Sequence, residues 1–201
     1  MKAQAKRLRY VIGVDEVGRG PIAGPVAVGA FVFLKPTAAK PFAGVKESKQ
    51  LSEAQREAWF ARILVEREKG TVDFVVSFQS EKVIDGPGLS VAIRRALRRS
   101  LAALEIAPRK ALVLLDGGLK APPEYEHQRT IIKGDAKINV IALASICAKA
   151  LRDRRMNAFA AKHPDYGFRA HKGYGTTAHY AAIRTYGMLA IHRRSFLSNL
   201  R

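Results

Sequence analysis

Cysteine is almost missing from this chain: Cys147 stands alone among 201 residues, which excludes an internal disulfide and a multi-cysteine zinc centre. It lies in an apolar helical pattern and reads as a small buried hydrophobe. Acidic residues are scarce as well. Seventeen Asp and Glu face 35 Lys and Arg, a formal net charge of +18, and self-repulsion of that size calls for a polyanionic partner. Nucleic acid leads, although anionic membrane surfaces and ribosomes also fit the charge alone. No apolar run approaches the ~20 residues that cross a bilayer. Residues 1 to 9 carry Lys2, Lys6, Arg7 and Arg9 without the apolar core of a signal peptide, so a cytoplasmic location is expected. Repeats and low-complexity linkers are lacking too. With 48% hydrophobic residues, the chain is expected to form one domain over 1–201, with about 165–201 as a basic C-terminal helical region.

Where acids are few, their positions carry information. Tyr10 to Val14 is an apolar run that ends in adjacent carboxylates, Asp15 and Glu16, and Val17-Gly18-Arg19-Gly20-Pro21-Ile22-Ala23-Gly24-Pro25 follows. Glycines at 18, 20 and 24 let a backbone approach a ligand closely, while Pro21 and Pro25 stiffen what lies between. This predicts strand, shaped loop, strand (Val26 to Leu34). Two adjacent acids resist joint ionisation unless a cation is supplied, and a divalent ion relieves that repulsion better than one lysine. A polar hairpin with solvated acids is the plainer alternative.

The pattern recurs further on. After a loop with Pro36 and Pro41, Ser52 and Gln55 have capping-box spacing at the start of a helix running to about Lys69, which Gly70 stops. Thr71 to Phe78 is β-branched and aromatic, hence a third strand. Residues 80 to 88 read as a turn region and Leu89 to Ile106 as a helix. Arg94, Arg95, Arg98 and Arg99 give this helix either a solvated face or a phosphate-facing stripe. Ala111 to Leu115 is an apolar strand ending in Asp116-Gly117-Gly118, and the short strand Arg129 to Ile132 runs into Lys133-Gly134-Asp135. Three strands thus deliver acids at their C-terminal ends, where open α/β sheets place ligands. Asp beside Gly is also an ordinary turn signal. Lys137 to about Lys162 forms a helix rich in small residues that lets it press on the sheet. Within it, Asp153 lies four residues after Lys149, which predicts a structural ion pair. Beyond Pro164, aromatics interleave with glycine and cations through a short helix, Thr177 to Tyr186.

The run Asp15-Glu16-Val17-Gly18-Arg19-Gly20-Pro21 resembles the signature of the type 2 ribonucleases H, and residues 10 to 198 resemble the bacterial ribonuclease HII family. That resemblance implies an α/β ribonuclease H-like fold, a mixed β-sheet flanked by helices, with a small C-terminal helical extension. It implies an endonuclease that hydrolyses the RNA of RNA–DNA hybrids and cuts 5′ of single ribonucleotides in duplex DNA, leaving 5′-phosphate and 3′-hydroxyl ends. Asp15, Glu16, Asp116 and Asp135 match the family's four metal-binding acids, expected to hold two Mg²⁺ or Mn²⁺ ions. Carboxylate oxygens suit such hard cations.

By the same resemblance, Gly18, Arg19 and Gly20 read the ribose 2′-hydroxyl, and Tyr174 stacks on the deoxyribose that follows; core packing is the alternative for Tyr174. Lys49, His171 and Lys172 are expected on backbone phosphates, with His192, Arg193 and Arg194 as further candidates. The chain departs from the family pattern at Glu47, Gly118 and Asn139, which bears on secondary positioning and not on the acids. The expected partners are hybrid and ribonucleotide-containing duplexes acted on by a monomer, with no membrane; clamp partners stay open. A basic non-catalytic RNA- or ribosome-binding protein is the rival class, and a structure-specific DNA nuclease a third. Four carboxylates in a +18 chain argue against the binding module, and a 2′-hydroxyl sensor argues against the DNA nuclease.

Overall fold

A computed structural model describes residues 8–45 and 48–200. Lys2, Lys6, Arg7 and the departure at Glu47 lie outside the described residues. The strands are β1 (Tyr10–Val17), β2 (Val26–Phe33), β3 (Val72–Gln79), β4 (Ala111–Asp116) and β5 (Gln128–Ile131), and the helices are α1 (Glu53–Glu68), α2 (Glu81–Asp85), α3 (Leu89–Ala103), α4 (Gly134–Lys137), α5 (Asn139–Lys162), α6 (Phe168–His171) and α7 (Thr177–Tyr186). In the sheet they run β3-β2-β1-β4-β5. β1 pairs antiparallel with β2 but parallel with β4, and β4 pairs parallel with β5. The C-terminal ends of β1, β4 and β5 therefore open on one edge, and each delivers an acid there.

Helices cover both faces. Ile12 and Val14 of β1 meet Ala92, Ile93, Ala96 and Leu97 of α3 in one apolar cluster. On the other face Phe31 and Phe74 pack with Phe60 and Ile63 of α1 and with Val140, Ile141, Ala144 and Cys147 of α5. α5 lies so close to the sheet that a Cβ on Gly13 would run into the Val140 carbonyl, and one on Gly29 into that of Ala144. Small residues on both partners make this contact possible, and it buries α5 nearly all round from Val140 to Ala148. A third cluster joins α6 and α7 to Ile22, Ala23 and Met156, so the C-terminal region packs against the loop after β1.

The expected strands and long helices are present, with shifted ends. The helix expected from Lys137 divides at Ile138, whose extended backbone (φ −128°, ψ 111°) separates α4 from α5. Residues 80–88 contain the short helix α2 as well as a turn. Ser52 caps α1 as read: its side chain accepts from the Gln55 N–H, while the Gln55 side chain accepts from the Ser52 N–H. Among the described residues, no helix is long and apolar enough to cross a membrane.

Candidate active site

β1 does not break before its acids; it continues through Val17, pairing Asp15 with Gly29 and Glu16 with Val28. Alternation therefore sends the two side chains to opposite faces of the sheet. They nevertheless line one cavity of about 230 Å³, because the sheet ends there and the Gly18–Gly20 turn folds over its edge. Asp15 lies on the α5 side, buried, beside Ser145 in the cavity lining, its Oδ1 accepting from the Glu16 N–H at 2.8 Å. Glu16 lies on the other side, where Arg19 Nη1 donates to its Oε1 at 2.9 Å. Its second oxygen, Oε2, is buried and has no hydrogen-bond partner among the described residues.

Asp116 joins them from the end of β4 and lines the same cavity. The neighbouring Gly134 N–H donates to Asp116 Oδ1 at 2.6 Å, which draws the start of α4 against β4. Asp135 follows at the first turn of α4, buried, with Lys49 Nζ 3.3 Å from its Oδ2. Burial raises the Asp15 carboxyl to about 8, helped by the charges of Glu16, Asp116 and Asp135. Glu16 is raised as well, chiefly by burial, against the opposing pull of Arg19. All four acids thus belong to one electrostatic unit.

As they stand, no three His, Cys, Asp or Glu side chains among the described residues form a ready metal cage. Two cations hold that region instead, Arg19 on Glu16 and Lys49 on Asp135. The donor set still suits a hard divalent ion: carboxylate oxygens, one of them buried and without a partner among the described residues, in a site where burial opposes ionisation of Asp15 and Glu16.

Tyr174 is 44% exposed and borders the cavity beside Gly20, which removes core packing as its role. His171 and Lys172, expected on phosphates, are turned inward. Lys172 Nζ donates to Asn157 Oδ1 at 2.6 Å and to Glu53, and the His171 ring bonds the Tyr166 carbonyl through Nε2 and accepts from Gly173 N–H at Nδ1. His192 and Arg193, raised with them, are buried too. Arg194 is exposed, its backbone N–H donating to Asp85. The departures at Gly118 and Asn139 are exposed.

A chain of neutral imidazoles holds the Tyr174 turn in place. Leu189 N–H donates to His192 Nδ1 at 2.8 Å, the two Nε2 atoms of His192 and His179 lie 3.1 Å apart, and His179 Nδ1 reaches the Tyr174 carbonyl at 2.9 Å. One assignment satisfies all three contacts: His192 donates from Nε2, and His179 accepts at Nε2 and donates from Nδ1.

Sequence reasoning missed Ser48, Ser145 and Lys149, which also line the cavity. Ser48 and Ser145 share a 2.7 Å hydrogen bond, and Lys149 Nζ lies 2.6 Å from Asp153 Oδ2, the expected ion pair. A signal was available, since Ser145, Lys149 and Asp153 recur every fourth residue along one side of α5 and interrupt its apolar pattern.

With this geometry in place, known proteins give a consistent match. The family model described as Ribonuclease HII covers residues 12–199. Ribonuclease HII of Ruminiclostridium cellulolyticum is 42% identical over 198 residues, spanning 98% of this chain and 74% of that protein. That of Nitrosococcus oceani is 45% identical over 186 residues, 92% of this chain and 88% of that protein. The crystal structure of ribonuclease H2 from Pyrococcus horikoshii superposes with a TM-score of 0.70 at 26% identity, covering 93% of each chain.

Proposed function

The chain belongs to the ribonuclease HII family, endoribonucleases that hydrolyse the RNA strand of RNA–DNA hybrids, and from that premise we propose that it also cuts 5′ of single ribonucleotides embedded in duplex DNA. The products are a 5′-phosphate and a 3′-hydroxyl. The observation that carries this reading is the convergence of Asp15, Glu16 and Asp116 on one cavity that Gly18, Arg19, Gly20 and Tyr174 also line. The acids supply the chemistry, and the close-approach glycine turn beside them supplies a means of sensing the 2′-hydroxyl, the group that separates RNA from DNA.

Asp15, Glu16, Asp116 and Asp135 are the residues that would hold two divalent ions, Mg²⁺ or Mn²⁺. When bound, such ions neutralise the scissile phosphate, activate the attacking water and stabilise the departing 3′ oxygen. The chain's own part is to hold the acids at fixed positions on the ends of β1, β4 and α4. Gly134 orients Asp116 through its N–H, and the Glu16 N–H orients Asp15. Gly18 and Gly20 bring backbone against the ribose, and the exposed ring of Tyr174 offers a stacking surface to the next deoxyribose. Lys49 and Arg194, both exposed, are candidate phosphate contacts; His171 and Lys172 act from inside, supporting the turn that carries Tyr174.

The deciding experiment incubates the protein with a DNA duplex carrying one ribonucleotide, with and without Mg²⁺, and maps the cut. A Mg²⁺-dependent nick on the 5′ side of the ribonucleotide is expected. Cleavage of continuous hybrid alone, with the single-ribonucleotide duplex left intact, would remove the junction-reading part.

A further inference from the structure

Arg152 and Arg193 have no exposed surface at all, although each guanidinium costs several kcal/mol to remove from water. Both direct their donors to backbone carbonyls. Arg193 Nε, Nη1 and Nη2 donate to the carbonyls of Gly24, Arg19 and Gly18 at 2.9, 3.0 and 2.7 Å. Arg152 Nε, Nη1 and Nη2 donate to those of Pro25, Lys172 and Ala23 at 2.9, 3.1 and 3.4 Å. The acceptors fall on two segments and no others: the loop from Gly18 to Pro25 and the turn that leads into Tyr174. Those segments also bond each other directly, Ile22 N–H donating to the Gly173 carbonyl at 2.9 Å.

The arrangement is tight where the loop must keep its shape. Gly18 has φ +92°, and a Cβ there would meet the Arg152 guanidinium stem, with Cδ at 2.9 Å. Gly20 is the opposite case. Its backbone is ordinary, and the nearest atom to an added Cβ is Tyr174 Cε1 at 3.7 Å, so the fold leaves that side of Gly20 open to whatever enters the cavity.

We propose that Arg152 and Arg193 are positioning residues for the cleavage reaction: a buried guanidinium pair that locks the Gly18–Gly20 turn and the Tyr174 turn into one rigid reader of the ribose–deoxyribose junction. This rests on the reading of those turns given above. A planar fork serves here because three carbonyls on different residues must be held at once. An ammonium presents its three donors from one point and cannot span them. The arginines touch neither the acids nor the cavity, so their effect passes through the placement of backbone and of Tyr174.

The test compares Arg193→Lys, Arg152→Lys and Gly20→Ala with the parent protein. Cleavage of a single-ribonucleotide duplex is followed in Mg²⁺ for kcat and KM, with the melting temperature beside it. For Arg193→Lys we expect kcat to fall tenfold or more, while KM stays within about twofold because phosphate contacts dominate duplex affinity, and melting stays near the parent value. Gly20→Ala should also lower kcat, because a methyl group blocks close approach. A parent-like kcat in both lysine variants, with Gly20→Ala impaired, overturns the positioning role and leaves the turn as the reader. Parent-like rates in all three overturn the turn itself. If Arg193→Lys does not fold, Arg152→Lys carries the same comparison; collapse of both, or kcat and affinity falling together with melting, makes the pair structural and overturns the proposal.

Discussion

Asp116 and Gly134, eighteen positions apart, are joined by a 2.6 Å hydrogen bond from the Gly134 N–H to Asp116 Oδ1. That bond fixes the end of β4 to the first residue of α4 and so sets Asp116 and Asp135 relative to each other. A Cβ on Gly134 would meet Ile141 Cδ1 at 2.7 Å and Asp116 Oδ1 at 3.4 Å, so a side chain here would press on the Ile141 side chain and on the carboxyl itself.

Asp116→Asn should leave the fold intact, because the amide oxygen can still accept from Gly134. The negative charge is lost, and with it the capacity to hold a divalent ion. Cleavage is expected to drop by roughly 100-fold or more, with melting temperature and duplex binding little changed. Near-parent cleavage at saturating Mg²⁺ would take Asp116 out of the site.

Gly13→Ala tests the contact that seats α5. The new Cβ meets the Val140 carbonyl, which cannot rotate away, so α5 must lift from the sheet. We expect a loss of about 1–3 kcal/mol or more, seen as a lower urea midpoint. An unchanged midpoint would mean that the helix rides further from β1 than the structure places it.

Asp15 links the site to stability. Burial raises its carboxyl from 3.8 to about 8, so between those values the unfolded chain ionises while the folded one keeps its proton. Stability is therefore lost as pH rises through that window and levels off above it. In metal-free protein, Asp15→Asn removes this slope, and the variant should gain on the parent progressively from pH 5 to pH 8.5 in urea unfolding. A constant gap across that range would refute the shift.

His179 acts with the opposite sign. Burial lowers its pKa from 6.5 to about 4, against the pull of the Tyr174 carbonyl and with help from the neighbouring His171 and His192. Between pH 6.5 and 4 the unfolded state takes up the proton and the folded state does not, so stability falls with pH across that window. In the Asp15→Asn background, where the raised carboxyl of Asp15 no longer opposes it and only that of Glu16 still does, the His179 contribution to the cost of lowering the pH from 7.5 to 5 should be on the order of 2 kcal/mol. Replacing His179 by Gln should flatten that dependence even as it lowers overall stability. An equally steep fall in the Gln variant assigns the effect elsewhere.

Local pattern alone determined a good deal of this protein. Apolar runs ending in Asp15, Asp116 and the Gly134-Asp135 turn were legible because strand period and turn chemistry are short-range properties, and the Ser52 capping box was legible for the same reason. The glycine-rich run after β1 announced a shaped loop and carried the family resemblance. Tertiary structure decided what burial and long-range pairing decide. Parallel pairing of β1, β4 and β5 gathered the acids on one edge, and the end of the sheet allowed Asp15 and Glu16 to share a cavity from opposite faces. Arg152, Arg193, His171 and Lys172 read as surface cations or an unremarked helix residue in a strongly basic chain. Arg152, Arg193 and Lys172 proved to be inward-facing because their partners lie on backbone or side chains far away, such as the Gly18 carbonyl for Arg193 and Glu53 for Lys172, whereas the His171 ring is held locally by the Tyr166 carbonyl and the Gly173 N–H. A cation's type is written in the sequence, but its environment is set only when distant segments bring carbonyls and carboxylates to it.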